Sequence, residues 1–176
     1  MQKKNLGIIG ALALTAAGVA TLTAALSFAS PGTATVSSKT TAPAWELKDV
    51  DGKTVKLEDF KGKVVILDFW ATWCGPCRME IPGFIQLQKQ YDKQGLAVIG
   101  VSLDEAEPQA VKAFMKKLGM NYSVVMGESQ IAREYGGIEA IPTTFVIDRQ
   151  GMIVAKHIGY ADKEQFEKEI KPLLKP

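Results

Sequence analysis

The sequence predicts a single α/β domain, a mixed central sheet flanked by helices, on three observations. "KVVILDF" from Lys63 to Phe69 and "LAVIGVSLD" from Leu96 to Asp104 are apolar on both side-chain parities, as strands covered on both faces must be. A segment of helical period follows each, so the centre of the sheet is parallel. "IPTTFVIDRQGMIVAKHIG" reads as a hairpin turning at Asp148 to Gly151, which adds antiparallel strands. With 176 residues and 47% hydrophobic composition, the chain builds an ordinary core without a disulfide staple or a structural metal.

Residues 1–29 begin with Lys3 and Lys4 and continue into an apolar run from Leu6 to Ala29. This pattern predicts an export signal or a membrane anchor: Ser27-Phe28-Ala29 suits cleavage, while the 24 uncharged residues from Leu6 to Ala29 suffice to span a bilayer that needs roughly 20. Residues 30–42 are rich in Ser, Thr, Pro, Gly and Ala and read as a flexible linker, so the folded domain is expected over 43–176. With Lys3 and Lys4 set aside, the 21 basic residues fall to 19, equal to the 19 acidic ones, which removes support for nucleic-acid binding.

"WELKDVDGKTVKLEDF" alternates around Asp51-Gly52 and predicts an N-terminal hairpin. From Cys77 the helical spacing runs through Phe84, Leu87 and Tyr91, with Pro82 removing one internal hydrogen bond and Gly95 closing the segment. Val111, Phe114, Met115 and Leu118 stand at helical spacing and predict an amphipathic helix with Lys112, Lys116 and Lys117 outside. "YSVVM" reads as a short strand and "SQIAREYGG" as a short helix ended by glycines. Asp162 with Gln165 opens a last helix, whose apolar face holds Phe166, Ile170, Leu173 and Leu174.

Both cysteines of the chain lie in "FWATWCGPCRMEIP", at the junction of the first buried strand and its helix. A disulfide closing so small a ring adds little stability, because its effect grows with loop length. The pair therefore reads as chemistry: one thiolate attacks a partner disulfide and the second resolves the mixed disulfide. Amide groups and the dipole at a helix N-terminus stabilise a thiolate, which makes Cys74 the nucleophile and Cys77 the resolving thiol. Asp68, in an apolar strand, is a candidate proton acceptor for Cys77, with a surface-facing strand end as the alternative. Glu80 shares a helix face with Cys77 and either tunes the thiols or is solvated. Trp73 and Trp70 are candidates for an apolar docking rim, Trp70 equally for the core.

"VVILDFWATWCGPCRMEIP" resembles the active-site segment of thioredoxin-fold proteins, and "AIPTTFVID" resembles their cis-proline segment. The resemblance implies a thioredoxin fold and makes Trp73, Gly75, Pro76, Ile141, Pro142 and Thr143 substrate-contacting candidates. The hairpin before the dithiol and the helical insertion between Glu105 and Gly119 bring the chain closer to the extracytoplasmic TlpA/ResA-like thiol-disulfide reductases, over roughly 43–175. Members of that group are tethered outside the cytoplasmic membrane, and several keep the CxxCH motif of apocytochrome c reduced. The resemblance thus implies protein-disulfide substrates, apocytochrome c among the candidates, and a membrane or periplasmic thiol as electron donor. It implies no small-molecule cofactor. Gly75-Pro76 and Asp68 resemble thioredoxin itself rather than the cytochrome-maturation members.

Other classes fit less well. A structural zinc site needs four ligands, and the chain offers two thiols and the single His157. Arg78 follows the second cysteine where a c-type haem attachment needs histidine. Leu67 and Ala71 occupy the places where a peroxiredoxin carries proline and a hydroxyl residue. A Cu(I)-binding chaperone on the same fold and a disulfide-forming oxidase stand as alternatives to an extracytoplasmic reductase.

Overall fold

A computed structural model of the chain describes residues 40–105 and 107–174. The expected signal or anchor over 1–29 lies outside the described residues, as does residues 30–39 of the expected linker. No helix among the described residues is long and apolar enough to cross a membrane.

The strands are β1 (Thr40–Thr41), β2 (Glu46–Lys48), β3 (Thr54–Lys56), β4 (Val64–Trp70), β5 (Leu96–Ser102), β6 (Ser123–Met126), β7 (Thr143–Ile147) and β8 (Met152–Ile158). The helices are α1 (Gly75–Tyr91), α2 (Pro108–Leu118), α3 (Ser129–Glu134) and α4 (Lys163–Leu174). One sheet runs in the order β1-β8-β7-β4-β5-β6, and β2 pairs with β3 in a second. β4, β5 and β6 are parallel, while β7 lies antiparallel to β4 and β8 to β7. The mixed sheet expected from the two apolar runs and the late hairpin is the one observed.

All seven residues of β4 and all seven of β5 are buried, because helices or the hairpin cover both faces. On one face Val64, Ile66 and Trp70 pack with Ile81, Phe84 and Leu87 of α1 and Phe166 and Ile170 of α4. On the other, Val65, Leu67 and Phe69 pack with Trp45, Leu47 and Val55 of the β2–β3 hairpin and Ile131 of α3. Side-chain alternation therefore places Asp68 in the row of Val64, Ile66 and Trp70, facing α1.

The hairpin turns at Gly52, whose φ of 80° is the left-handed conformation that glycine adopts without a Cβ penalty. Asp49 bridges to Val125, so this small sheet sits against the outer edge of β6. α1 continues through Pro82, and after one 3-10 turn the chain leaves through Gly95 in the left-handed region. The turn between β7 and β8 is built by Asp148, whose Oδ1 accepts from the backbone N–H groups of Gln150 and Met152 at 3.0 and 2.9 Å. Asp162 Oδ1 accepts from the N–H of Gln165 at 2.8 Å, the capping contact expected at the start of α4.

Two expectations differ from the structure. Ordered pairing starts before 43: Thr40 and Thr41 pair with Ile153 and Met152 of β8, and Ala42 is buried. Backbone hydrogen bonds to an open sheet edge hold the exposed Thr40 and Thr41, and Ala42 packs into the core. On α2 only Val111 is fully buried, Phe114 and Met115 pack partly against the core, and Leu118 is exposed. Val111, Phe114 and Met115 turn to the core while Leu118, at the end of the same helix, stays in solvent.

Candidate active site

β4 ends at Trp70, and the chain turns through Ala71 to Cys74 before entering α1. The N–H of Cys74 donates to the carbonyl of Ala71 at 3.1 Å, which closes the turn. Cys74 is the N-cap of α1, with Gly75 and Pro76 as the first helical residues. Cys74 and Cys77 are joined as a disulfide. The N–H of Cys77 points at Cys74 Sγ, 3.2 Å away, so an unpaired amide of the first helical turn faces the leading sulfur. Cys77 is fully buried, whereas Cys74 keeps a small accessible face, 5%.

The segment before β7 closes the site from the other side. The Ile141–Pro142 peptide bond is cis, as the resemblance implied. The carbonyl oxygen of Ile141 lies 3.7 Å from Cys74 Sγ. Pro142 is buried and its carbonyl accepts from the N–H of Gly159 at 2.8 Å. Thr143 is buried too, its hydroxyl donating to the carbonyl of Ala140 at 2.7 Å. Of the substrate-contacting candidates, Trp73, Gly75 and Pro76 are exposed, Ile141 is half-buried, and the side chains of Pro142 and Thr143 point into the protein. Trp73 is 70% exposed and Trp70 1%, so the two tryptophans divide between rim and core.

Asp68 and Glu80 are both buried, Asp68 in the β4 row that faces α1 and Glu80 on α1 one turn after Cys77. The hydroxyl of Thr144 donates to Asp68 Oδ1 at 3.1 Å across the β4–β7 pair. Burial pushes the Asp68 carboxyl well above the usual carboxylate range, the nearby Glu80 charge adds to that push, and the Thr144 bond opposes it. Glu80 Oε1 accepts from the N–H of Ala161 at 2.7 Å, while its Oε2 is buried without a hydrogen-bond partner among the described residues. Burial raises Glu80 to about 7, against the pull of the Ala161 N–H and of His157. Neither carboxylate is the solvated or surface-facing group that the sequence left open. Tyr122, also buried, has its phenol pushed well above the ordinary range by burial and by the charges of Asp68 and Glu80.

Glu80 borders a cleft of about 240 Å³ that Met79, Gly83, Tyr160 and Ala161 also line. Met79 is 63% and Tyr160 51% exposed, so this cleft carries two large exposed side chains of its own. A roomier depression of about 960 Å³ lies around Tyr91, Arg149 and Lys171 and includes none of the dithiol residues.

His157 follows Thr144 in the cross-strand row that begins at Asp68. Its Nε2 is 2.9 Å from Glu169 Oε2 and its Nδ1 3.1 Å from Gln165 Nε2, so α4 holds the ring. Among the described residues no three His, Cys, Asp or Glu side chains converge as metal ligands. Sequence reasoning missed Thr144, Ala161, Tyr122 and Tyr160. Nothing local marks them, since each reaches the site only through strand pairing or helix packing.

The AhpC/TSA family model matches residues 39–156. The chain is 37% identical over 132 residues to the thiol-disulfide oxidoreductase ResA of Bacillus thuringiensis (strain Al Hakam), which covers 75% of this chain and 76% of that protein. Among solved structures it is similar to a thiol:disulfide interchange protein of the thioredoxin family from Chlorobium tepidum TLS, with a TM-score of 0.72 and 37% identity over 78% of this chain and 98% of that one. It is also similar to a secreted thiol-disulfide isomerase from Corynebacterium glutamicum, with a TM-score of 0.71 and 26% identity over 76% and 84% of the two chains.

Proposed function

This chain belongs to the AhpC/TSA family and is a thiol-disulfide oxidoreductase of the thioredoxin superfamily, and from that premise we propose that it reduces protein disulfides outside the cytoplasmic membrane. The observation that carries the reading is an N-capping Cys74 and a fully buried Cys77 on a helix that also carries the buried Glu80 one turn later and faces the strand row of the buried Asp68. Each has a place in a two-step exchange.

The reduced Cys74 thiolate, held by the first-turn amides, attacks a substrate disulfide and releases one substrate thiolate. Cys77 then gives its proton to the Asp68–Glu80 pair and attacks Cys74 Sγ. The second substrate thiolate leaves, and the Cys74–Cys77 disulfide forms. Two electrons have passed to the substrate, and a dithiol donor must return them. Glu80, near 7, takes and releases a proton close to neutral pH, as a general base at that step requires. Trp73, Gly75, Pro76 and Ile141 form the surface on which an extended substrate segment rests, with the buried Pro142 and Thr143 holding Ile141 in place.

The extracytoplasmic location rests on the apolar residues 6–29 behind Lys3 and Lys4, and on a similar structure being that of a secreted isomerase. Those first 29 residues act as signal or anchor, 30–42 as linker, and the donor is a membrane or periplasmic thiol. Apocytochrome c, with its CxxCH motif, is the proposed substrate.

Equilibration of the Cys74/Cys77 couple with defined thiol buffers tests the direction. A reductase gives a potential near that of thioredoxin, about −270 mV, and reduces an oxidised CxxCH peptide. A value near about −120 mV, that of a strong oxidant, reverses the assignment.

A further inference from the structure

Asp104 follows β5 and is largely buried, at 9% exposure. Its carboxylate is turned toward the segment before the dithiol. The N–H of Thr72 donates to Oδ1 and Oδ2 at 3.2 and 3.0 Å, and the Thr72 hydroxyl donates to Oδ1 at 2.5 Å. The Ser102 hydroxyl donates to Oδ2 at 2.7 Å, and the Asp104 N–H returns a bond to Ser102 Oγ at 3.3 Å. Thr72 is the second residue of the turn that Cys74 closes on Ala71, so the carboxylate grips the turn two residues before the leading sulfur. The N–H of Leu103 donates to the carbonyl of Trp70 at 2.8 Å and binds the same two segments.

We infer that Asp104 is a positioning residue of the exchange reaction: it holds the Ala71–Cys74 turn so that Cys74 stays at the α1 N-terminus once the disulfide opens. In the oxidised protein the sulfur–sulfur bond to Cys77 fixes Cys74 covalently. In the dithiol that tie is gone, and the leading sulfur keeps its place beside the Cys77 N–H through the Ala71–Cys74 turn and the bond from the Arg78 N–H to the Cys74 carbonyl at 3.2 Å. The two Thr72 donors, an N–H shared between both carboxylate oxygens and the hydroxyl, make charge-assisted hydrogen bonds that are a strong anchor for such a turn. The inference rests on dithiol exchange at Cys74 and is independent of the direction in which electrons flow.

The test measures the pKa of Cys74 in the reduced full chain, from the pH dependence of its alkylation, for the wild type, Asp104→Ala and Thr72→Val. Positioning predicts an upward shift of roughly half to one unit in Asp104→Ala, because the thiolate drifts from the helix terminus. Thr72→Val shifts it the same way by less and stays readable if Asp104→Ala does not fold. The kcat for reduction of a protein disulfide falls several-fold with KM little changed. An unchanged Cys74 pKa with a lowered Tm makes Asp104 merely structural, and a downward shift makes it only a repelling charge; either result overturns the inference. A wild type that fails to reduce protein disulfides sinks the proposed function and leaves the pKa comparison standing.

Discussion

The N–H of Ala161 and the carboxylate of Glu80 meet at 2.7 Å, joining the loop before α4 to the helix face that carries Cys77. One oxygen of Glu80 is thereby fixed while the other stays buried and unpartnered among the described residues. Glu80→Gln keeps the Ala161 bond and loses the basic oxygen. Rapid-mixing measurement of mixed-disulfide decay should show resolution slowed at least ~100-fold, the low end of general-base contributions. The wild-type rate should rise with pH through about 7 and the variant's should not follow it.

The same carboxyl makes stability fall with rising pH. Its ordinary value is 4.5 and its folded value about 7, so between these the folded state binds more protons than the unfolded one. The stabilisation is complete below about 4.5 and is lost as pH rises through 7, by on the order of 3 kcal/mol for this group. Denaturant titrations of the oxidised protein at pH 5 and pH 8 read it. Glu80→Gln should flatten the difference.

Asp68→Asn separates stability from turnover. The amide still accepts from Thr144 and no longer carries a charge that burial disfavours. At pH 8 the variant should be more stable than the wild type by about 1–3 kcal/mol while it turns over more slowly. Chemical denaturation paired with a disulfide-reduction assay checks both halves. A variant that loses stability would show that the charged form is well solvated in place.

Gly100→Ala tests the packing beneath the dithiol. A Cβ there lies 2.7 Å from Trp70 Nε1 and 3.3 Å from Val124 Cγ2, and Trp70 is held by Phe114 at a ring distance of 5.7 Å. The indole cannot move away freely, so the cost should be about 1–3 kcal/mol, seen as a lowered Tm with altered tryptophan fluorescence.

Cys77→Ser should accumulate a mixed disulfide through Cys74 with a protein substrate, seen as a mass adduct released by added thiol. Tight Cu(I) uptake with no such adduct would favour the copper-binding alternative instead.

Much of the fold was legible because its signals are local. The double-parity apolar runs of β4 and β5, the Asp51-Gly52 turn, the Asp148–Gly151 turn and the Asp162 cap each depend on neighbours a few residues away. Leu118 misled because helical spacing marks a face without marking how far along the helix the core reaches. Thr40 and Thr41 were hidden because a strand held by backbone bonds to an edge needs no apolar pattern.

The dithiol and its place at a helix start were therefore written in the chain itself, since strand-to-helix spacing and a short motif suffice to mark them, while the cis bond before Pro142 was implied by the family resemblance. The tertiary structure alone decided what surrounds them. Asp68 meets Thr144 from 76 positions away, Glu80 meets Ala161 from 81 and Asp104 meets Thr72 from 32. Sheet register and helix packing bring these pairs together, and burial, which changes how strongly a carboxyl holds its proton, exists only once the chain has closed around it.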